Sequence, residues 1–274
     1  MTASKQNPIL IIGCGYLGMR LASQITKKGM QVWATSRKEE KISRIRDAGA
    51  VDVLFDLNDP VSWKNLNFAK KSAVDIYFLL PPGQIELDTL NLFLALIHTW
   101  QVGRLVMTSS TVVYGGRARV VDADSKVDID NDRAKRQYGI EQAVANYGGD
   151  VRIVRLAGLY GPDRIIGRQS VLNSQAIEGN ADNHLNLIHV DDAAALLMTI
   201  MSSASAMAVE LGSDGVPISR GRYYSDLAKF LGCKAPLFRE NESNRGGNRQ
   251  CDNTVTRTRT GWVPHYTDYR QAWQ

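Results

Sequence analysis

The stretch Ile9-Leu10-Ile11-Ile12-Gly13-Cys14-Gly15-Tyr16-Leu17-Gly18 constrains this chain more than any other. Four consecutive apolar residues run into Gly-x-Gly-x-x-Gly, and Leu17, Leu21, Ala22 and Ile25 then share one face of an amphipathic segment. That order reads as a buried strand, a tight turn and a helix. Each glycine has its own task in such a turn. Gly13 permits the turn's backbone dihedrals, Gly15 lets the chain approach a pyrophosphate, and Gly18 lets the helix pack close on the strand. The helix start, from Tyr16 and Leu17, then turns its N–H groups and its dipole toward the phosphates. A bare glycine pattern can serve packing alone; the strand before it and the helix after it make it a dinucleotide site.

The pattern continues in strand and helix. Gln31–Thr35, Val51–Phe55, Asp75–Leu80, Arg104–Thr108 and Val151–Leu156 read as further strands. Helical patterns separate them at Glu39–Ala48, Pro60–Lys70 and Ile85–Trp100, where Leu92, Leu96 and Trp100 read as core. Helices are also expected at Gln169–Glu178, Asp191–Met201 and Arg220–Leu231, with a short strand at Leu185–His189. Such alternation implies a doubly wound parallel α/β sheet covered on both faces, with right-handed crossovers. Ser36-Arg37-Lys38 ends the second strand, where an adenosine ribose is met, and no acid precedes Glu39. An acid there would hold the 2′-hydroxyl of NAD; a hydroxyl and two cations suit the 2′-phosphate of NADP. NADP is therefore expected over NAD, the alternative being that Arg37 and Lys38 are a solvated helix start. Asp56-Leu57, Leu80-Pro81-Pro82 and Thr108 lie on the same carboxyl edge, and Leu156 and Gly158 join them as expected cofactor contacts.

A hydrophobic share of 44% supports a full core in 274 residues, as one large unit or two unequal lobes. The net charge is +5, yet 33 Lys and Arg are scattered among 28 acids with no basic tract interleaved with aromatics. That argues against nucleic acid and leaves anionic small molecules. Cys14, Cys233 and Cys251 are far apart and odd in number, as in a reducing cytoplasm, and the four histidines show no metal-ligand spacing with them. The apolar run at 9–12 is too short for a signal or membrane helix. A cytoplasmic protein with no membrane association and no metal is expected.

Strand five runs into Met107-Thr108-Ser109-Ser110-Thr111-Val112-Val113-Tyr114-Gly115. Arg155-Leu156-Ala157-Gly158-Leu159-Tyr160-Gly161-Pro162 and Ile188-His189-Val190-Asp191-Asp192 follow. With the glycine turn, these resemble the extended short-chain dehydrogenase/reductase family, the nucleotide-sugar epimerases and dehydratases, over nearly the whole chain. Asn248-Arg249 and Gly261-Trp262 look like an atypical branch of it. The resemblance implies an NAD(P)-binding Rossmann domain over residues 1–160, with a contribution from 183–212. It implies a small C-terminal substrate-binding lobe from 161–182 and 213–274, a nucleotide sugar as substrate, and a homodimer through paired helices.

In that family a Ser or Thr four residues before the Tyr of Val-Tyr-Gly bonds the substrate hydroxyl; the matching residue is Ser110. A Tyr-x-x-x-Lys on the next helix transfers the proton, the Lys ammonium lowering the phenol's pKa. Here the segment is Asn131-Asp132-Arg133-Ala134-Lys135-Arg136-Gln137-Tyr138-Gly139-Ile140-Glu141-Gln142. Aligned on Glu141, Arg133 takes the Tyr position and Gln137 the Lys position; aligned on Tyr138-Gly139, Gln142 takes the Lys position. Both registers lose the Lys, although Lys135 stands one turn before Tyr138 as another cation. Arg133 cannot act as a base, but it can polarise a carbonyl or hold a phosphate. Arg164, Arg168 and Arg249 could grip a substrate pyrophosphate or be solvated charges. His189 with Asp191 reads as structural rather than as an acid–base pair, and Cys14, near a helix start, is open to a lowered pKa. Two readings follow. One is an NAD(P)-dependent epimerase/dehydratase-like oxidoreductase with an altered reaction. The other is a non-catalytic NADP(H)-binding protein that senses redox state through a partner.

Overall fold

A computed structural model of the chain describes residues 7–70, 72–239 and 247–273. In chain order the first half carries β1 (Ile9–Ile12), α1 (Tyr16–Thr26), β2 (Val32–Ser36), α2 (Ile42–Asp47), β3 (Val51–Leu54), β4 (Val74–Phe78), α3 (Leu87–His98), β5 (Val102–Ser110), β6 (Arg119–Val121) and α4 (Asp132–Ala145). Next come β7 (Val151–Leu156), β8 (Gly158–Tyr160), α5 (Arg168–Leu172), β9 (Ile177–Glu178), β10 (His184–Leu185), β11 (Leu187–His189) and α6 (Val190–Ser202). The chain closes with β12 (Val209–Gly212), β13 (Ile218–Ser219), α7 (Arg220–Phe230), β14 (Phe238–Arg239), β15 (Arg249–Cys251) and α8 (Thr254–Thr260).

Seven strands form one sheet in the order β12-β7-β5-β4-β1-β2-β3, and every pairing from β3 through β5 is parallel. The expected doubly wound Rossmann-like sheet is therefore present. All four residues of β1 are buried, as a strand covered on both faces requires. Leu10 and Ile12 join Ile76, Phe78, Leu105 and Met107 in a core closed by Phe93, Leu94 and Ile97 of α3 and by Ile140 and Val144 of α4. Tyr77, on the alternate face, reaches the Leu197 carbonyl of α6 with its hydroxyl. The strand order reverses beside β1, between β2 and β4, which places a crevice at the carboxyl ends of these strands.

The chain divides into two compact units: Met1–Ser109 with Arg136–Val154 and Ala194–Val209, and Ser110–Lys135 with Arg155–Ala193 and Glu210–Gln274. The second unit rests on short strand pairs, β8 with β11, β6 with β15 and β9 with β14, all parallel, and β10 with β13, antiparallel. Its core is aromatic, with Tyr160, Tyr223, Tyr224, Tyr269 and Trp273 buried together. His189 stacks on Tyr266 at 3.7 Å between ring centroids and meets the Tyr160 ring edge-on. Asp192 accepts the backbone N–H groups of His265 and Tyr266, and its carbonyl accepts the Trp262 indole N–H. The His-Val-Asp-Asp motif is thus a tie between α6 and the C-terminal segment.

Two local expectations need correction. Leu92 is 63% exposed. The buried stripe of α3 is Leu90, Phe93, Leu94 and Ile97, and Leu92 lies about 200° around the helix from Leu90. The helix expected over Gln169–Glu178 stops at Leu172, because Ser174 takes a left-handed φ of 52°; Ile177–Glu178 then pairs with β14. The short helix expected at Pro60–Lys70 is present with those bounds and winds as a 3₁₀ helix, burying Leu66 and Ala69.

Asp214 follows β12, with its Oδ1 accepting the Val216 N–H at 2.9 Å. Burial, reinforced by nearby Asp192 and opposed by the Val216 hydrogen bond, pushes its carboxyl up to about 7. Its folded-state pKa is raised, so the folded protein holds this proton where the unfolded chain has lost it, and stability falls as pH climbs from about 4 to about 7. Asp214→Asn should flatten that part of a melting-temperature profile and raise stability above pH 7; an unchanged profile would contradict the assignment.

Candidate functional site

In the first unit, the turn between β1 and α1 carries the glycines. Gly13 has a φ of +93°, and a Cβ there would stand 2.9 Å from Leu80 Cδ2 and 3.2 Å from the Leu79 carbonyl carbon. Gly18 is barred from a side chain by the Gly13 carbonyl oxygen, 2.9 Å from where its Cβ would be. Gly15 differs: it is the N-cap of α1, and a Cβ on it would meet nothing within 4 Å. Two glycines answer to packing, and the third leaves open room at a helix N-terminus. That room fits the pyrophosphate of a dinucleotide. The turn is pinned to β2 by Thr35, whose Oγ1 accepts the Gly13 N–H at 2.9 Å and whose carbonyl accepts the Cys14 N–H at 2.8 Å. Thr35 escaped sequence reading: its hydroxyl, 1% exposed, is followed at once by that of Ser36, and neither stands out in the strand.

The remaining expected cofactor residues of this unit lie at or just past the carboxyl ends of β2 to β5. Ser36 is buried and its hydroxyl bonds both the N–H and the carbonyl of Lys38 at 3.1 Å. Arg37 is exposed, and Lys38 pairs with Glu40 at 3.2 Å on the surface. Asp56 Oδ1 accepts the Asn58 N–H. Leu57 is 1% exposed, and Leu17 is also buried, so both side chains serve the core and leave only backbone for a ligand. Leu80, Pro82 and Thr108 are half-buried, and Pro81 is exposed. Leu156 and Gly158 belong to the second unit, where Gly158 packs against Asn186 and Ile166, each 3.1 Å from the position of a Cβ.

Ser110 ends β5, half-buried, with its Oγ accepting the Val112 N–H at 3.3 Å. Along α4, Gln137 and Glu141 are 2% and 1% exposed and share the buried face with Ala134 and Ile140. Glu141 accepts the hydroxyl of Ser109. Arg133, one turn before Gln137, is exposed; Tyr138 is half-buried and Gln142 exposed. Lys135 is 61% exposed and faces Asp132 at 3.8 Å. Ser110 and Arg133 fall in the second unit and Tyr138 in the first.

Arg249, on β15, is half-buried in the second unit, and its Nη1 donates to the Gly115 carbonyl at 2.6 Å. Its buried Nε has no hydrogen-bond partner among the described residues. Burial lowers the pKa of this guanidinium; Cys251 and Asp130 oppose the shift and the charge of Arg133 adds to it. Arg133 and Arg249 both belong to the second unit, and a guanidinium suits an anion. Arg164 and Arg168 are exposed. Burial pushes the Cys14 thiol up to about 12, against a lowering by Lys41, and its Sγ lies 3.2 Å from Met19 Sδ. Cys251 is likewise buried and pushed up to about 11 by burial, whereas Cys233 is half-buried. Among the described residues no group of three or more His, Cys, Asp or Glu is arranged to hold a metal ion, and no helix is long and apolar enough to cross a membrane.

A parallel sheet that reverses order beside a strand ending in this turn defines a dinucleotide-binding α/β protein. The model of the NAD dependent epimerase/dehydratase family matches residues 9–212, and the chain belongs to that family. It is 26% identical to Protein YeeZ of Escherichia coli K12 over 268 residues, 89% of this chain and 93% of that protein. A functionally unknown conserved protein from Silicibacter pomeroyi superposes with a TM-score of 0.79 at 22% identity, covering 98% of this chain and 97% of that one. UDP-glucuronic acid 4-epimerase from Bacillus cereus, solved in complex with NAD, superposes with a TM-score of 0.78 at 15% identity, covering 97% and 96%. These two likenesses show the shared fold.

Three substitutions separate packing from binding in the turn. Gly15→Ala should fold with an unchanged melting temperature and lose affinity for its nicotinamide dinucleotide by about tenfold or more, read by calorimetric titration. Gly18→Ala should lower stability itself, since its Cβ meets a backbone oxygen. Thr35→Val, which strands the buried Gly13 N–H, should cost about 1–3 kcal/mol in denaturant unfolding.

Proposed function

We propose that the protein is an NADP-dependent oxidoreductase of the epimerase/dehydratase type, acting on a nucleotide sugar by an altered reaction. The observation that carries this reading is the pairing of room at Gly15 with an acid-free Ser36-Arg37-Lys38 edge. An exposed guanidinium at that edge suits a 2′-phosphate, and no carboxylate at 36–38 repels it. Gly13, Gly15 and Gly18 shape the turn; Leu80, Pro81, Pro82 and Thr108 complete the proposed cofactor contacts of the first unit. The cofactor supplies the hydride chemistry.

For the substrate, Ser110 holds a sugar hydroxyl, and Arg133 with Arg249 takes the diphosphate. Arg133 is a permanent cation, so it cannot pass a proton as a phenol does. Proton transfer then falls to solvent or to Tyr138, half-buried on α4. Rates below those of enzymes with an intact Tyr and Lys follow. The substrate lobe is drawn from residues 161–182 and 213–274, which include Arg249. A homodimer through paired helices belongs to the same proposal. Three free cysteines support a cytoplasmic location.

A second reading draws on the same helix. With Gln137 at the Lys position of the first register and Gln142 at that of the second, no ammonium stands four residues after either candidate for the Tyr. That favours a non-catalytic NADP(H)-binding protein that senses cofactor redox state.

Thermal shifts with NADPH, NADH and panels of UDP-, dTDP- and GDP-sugars test both readings. Ligand at 100 times its dissociation constant should stabilise the fold by about 2.7 kcal/mol. A shift with NADPH that grows with one sugar supports the enzyme; a shift with NADPH alone supports the sensor; no shift with either nucleotide overturns both. Arg37→Glu should weaken NADPH binding by about tenfold and leave NADH within about twofold.

A further inference from the structure

Arg249 is held at both ends. Its guanidinium donates to Gly115, while its own carbonyl accepts the side-chain amide of Asn186, Nδ2 to O at 3.0 Å. The same amide takes the Cys251 N–H on its Oδ1 at 2.8 Å. One carbonyl and one N–H, two residues apart, are the groups a neighbouring parallel strand would engage. The Asn186 side chain therefore stands in for a strand along one edge of β15, while β6 pairs along the other in register Arg249↔Arg119. Asn186 is itself anchored: it is 9% exposed, its carbonyl accepts the Gly158 N–H at 2.9 Å, and β11 begins at the next residue. Two residues earlier, the His184 N–H and ring Nδ1 lie 3.2 and 2.7 Å from Asn248 Oδ1, which secures the entry to β15.

We propose that Asn186 is a positioning residue whose amide sets the Arg249 backbone, and through it the guanidinium, for binding a diphosphate. The inference rests on the reading of Arg249 as an anion-binding residue. Arg249 Nε is buried and unpartnered among the described residues, and the charge of Arg133 is felt at its guanidinium, so the direction of the fork matters to any anion that joins them. A small displacement of residue 249 swings a long side chain, and Asn186 removes that freedom before the ligand arrives.

The test is a double-mutant cycle on the full chain, with inorganic pyrophosphate as probe and NADPH binding as control. Asn186→Leu should weaken pyrophosphate binding by about fivefold with NADPH affinity unchanged. Asn186→Asp keeps the acceptor for the Cys251 N–H but sets a carboxylate against the Arg249 carbonyl; it should lose at least as much, and it serves alone if Asn186→Leu fails to fold. In an Arg249→Met background neither change should alter pyrophosphate affinity by more than about 1.5-fold, because the residue acted on is gone. Equal losses in both backgrounds, or no loss in the native one, would overturn the positioning role while leaving Arg249 as the anion ligand. If Arg249→Met alone leaves pyrophosphate binding intact, the anion reading falls and the proposal with it.

Discussion

The hydrogen bond from the Gly13 N–H to Thr35 Oγ1 is the contact on which the cofactor half of the molecule depends. A parallel ladder ends where its strands diverge, and β1 must leave β2 at once to enter a helix. Thr35 extends the pairing one step beyond the ladder, through its hydroxyl to Gly13 and its carbonyl to Cys14. The turn can then reverse within three residues, bring Gly18 onto the Gly13 carbonyl, and send α1 back along the sheet. Leu17, Leu21, Ala22 and Ile25 are buried as a result. Without that anchor the glycines would have conformational freedom and no reason to use it in one way.

What the sequence reveals follows the range of the forces involved. β1 was legible because a strand buried on both faces is a continuous apolar run, β2, β4 and β7 because apolar residues dominate them, and α1 because its stripe repeats within eleven residues. α3 is apolar nearly all round, so periodicity alone could not say which side faced the core, and Leu92 went to the wrong side. The second unit was the least legible. Its strands of two and three residues exist only through partners far along the chain, as Ile177–Glu178 does through Phe238–Arg239. The glycines and the Ser36-Arg37-Lys38 edge of the candidate site stand in the open sequence. Thr35 and Asn186 do not, because each acts by a side-chain bond to distant backbone, and nothing local marks it.

The helix that departs from the family's Tyr-x-x-x-Lys is internally consistent. Gln137 is almost wholly buried beside Ala134, Ile140 and Glu141. A neutral amide there avoids the cost of an ammonium in a site of low dielectric. Glu141 keeps the hydroxyl of Ser109 as partner on the same buried face. The charge has moved outward, to Arg133 on the exposed side of the helix. At the two positions matched to the family's Tyr and Lys, a guanidinium and an amide stand in place of groups that exchange protons.

The cysteines have a practical consequence. Cys14 and Cys251 are buried with thiols pushed far toward the protonated form, and thiolate is the species that alkylating and oxidising reagents attack. Cys233, half-buried just beyond α7, is the thiol left to solvent. The native chain therefore arrives with one built-in attachment point for a fluorophore or spin label, on the aromatic unit and away from the glycine turn in sequence, so its motions can be followed without engineering a cysteine-free background.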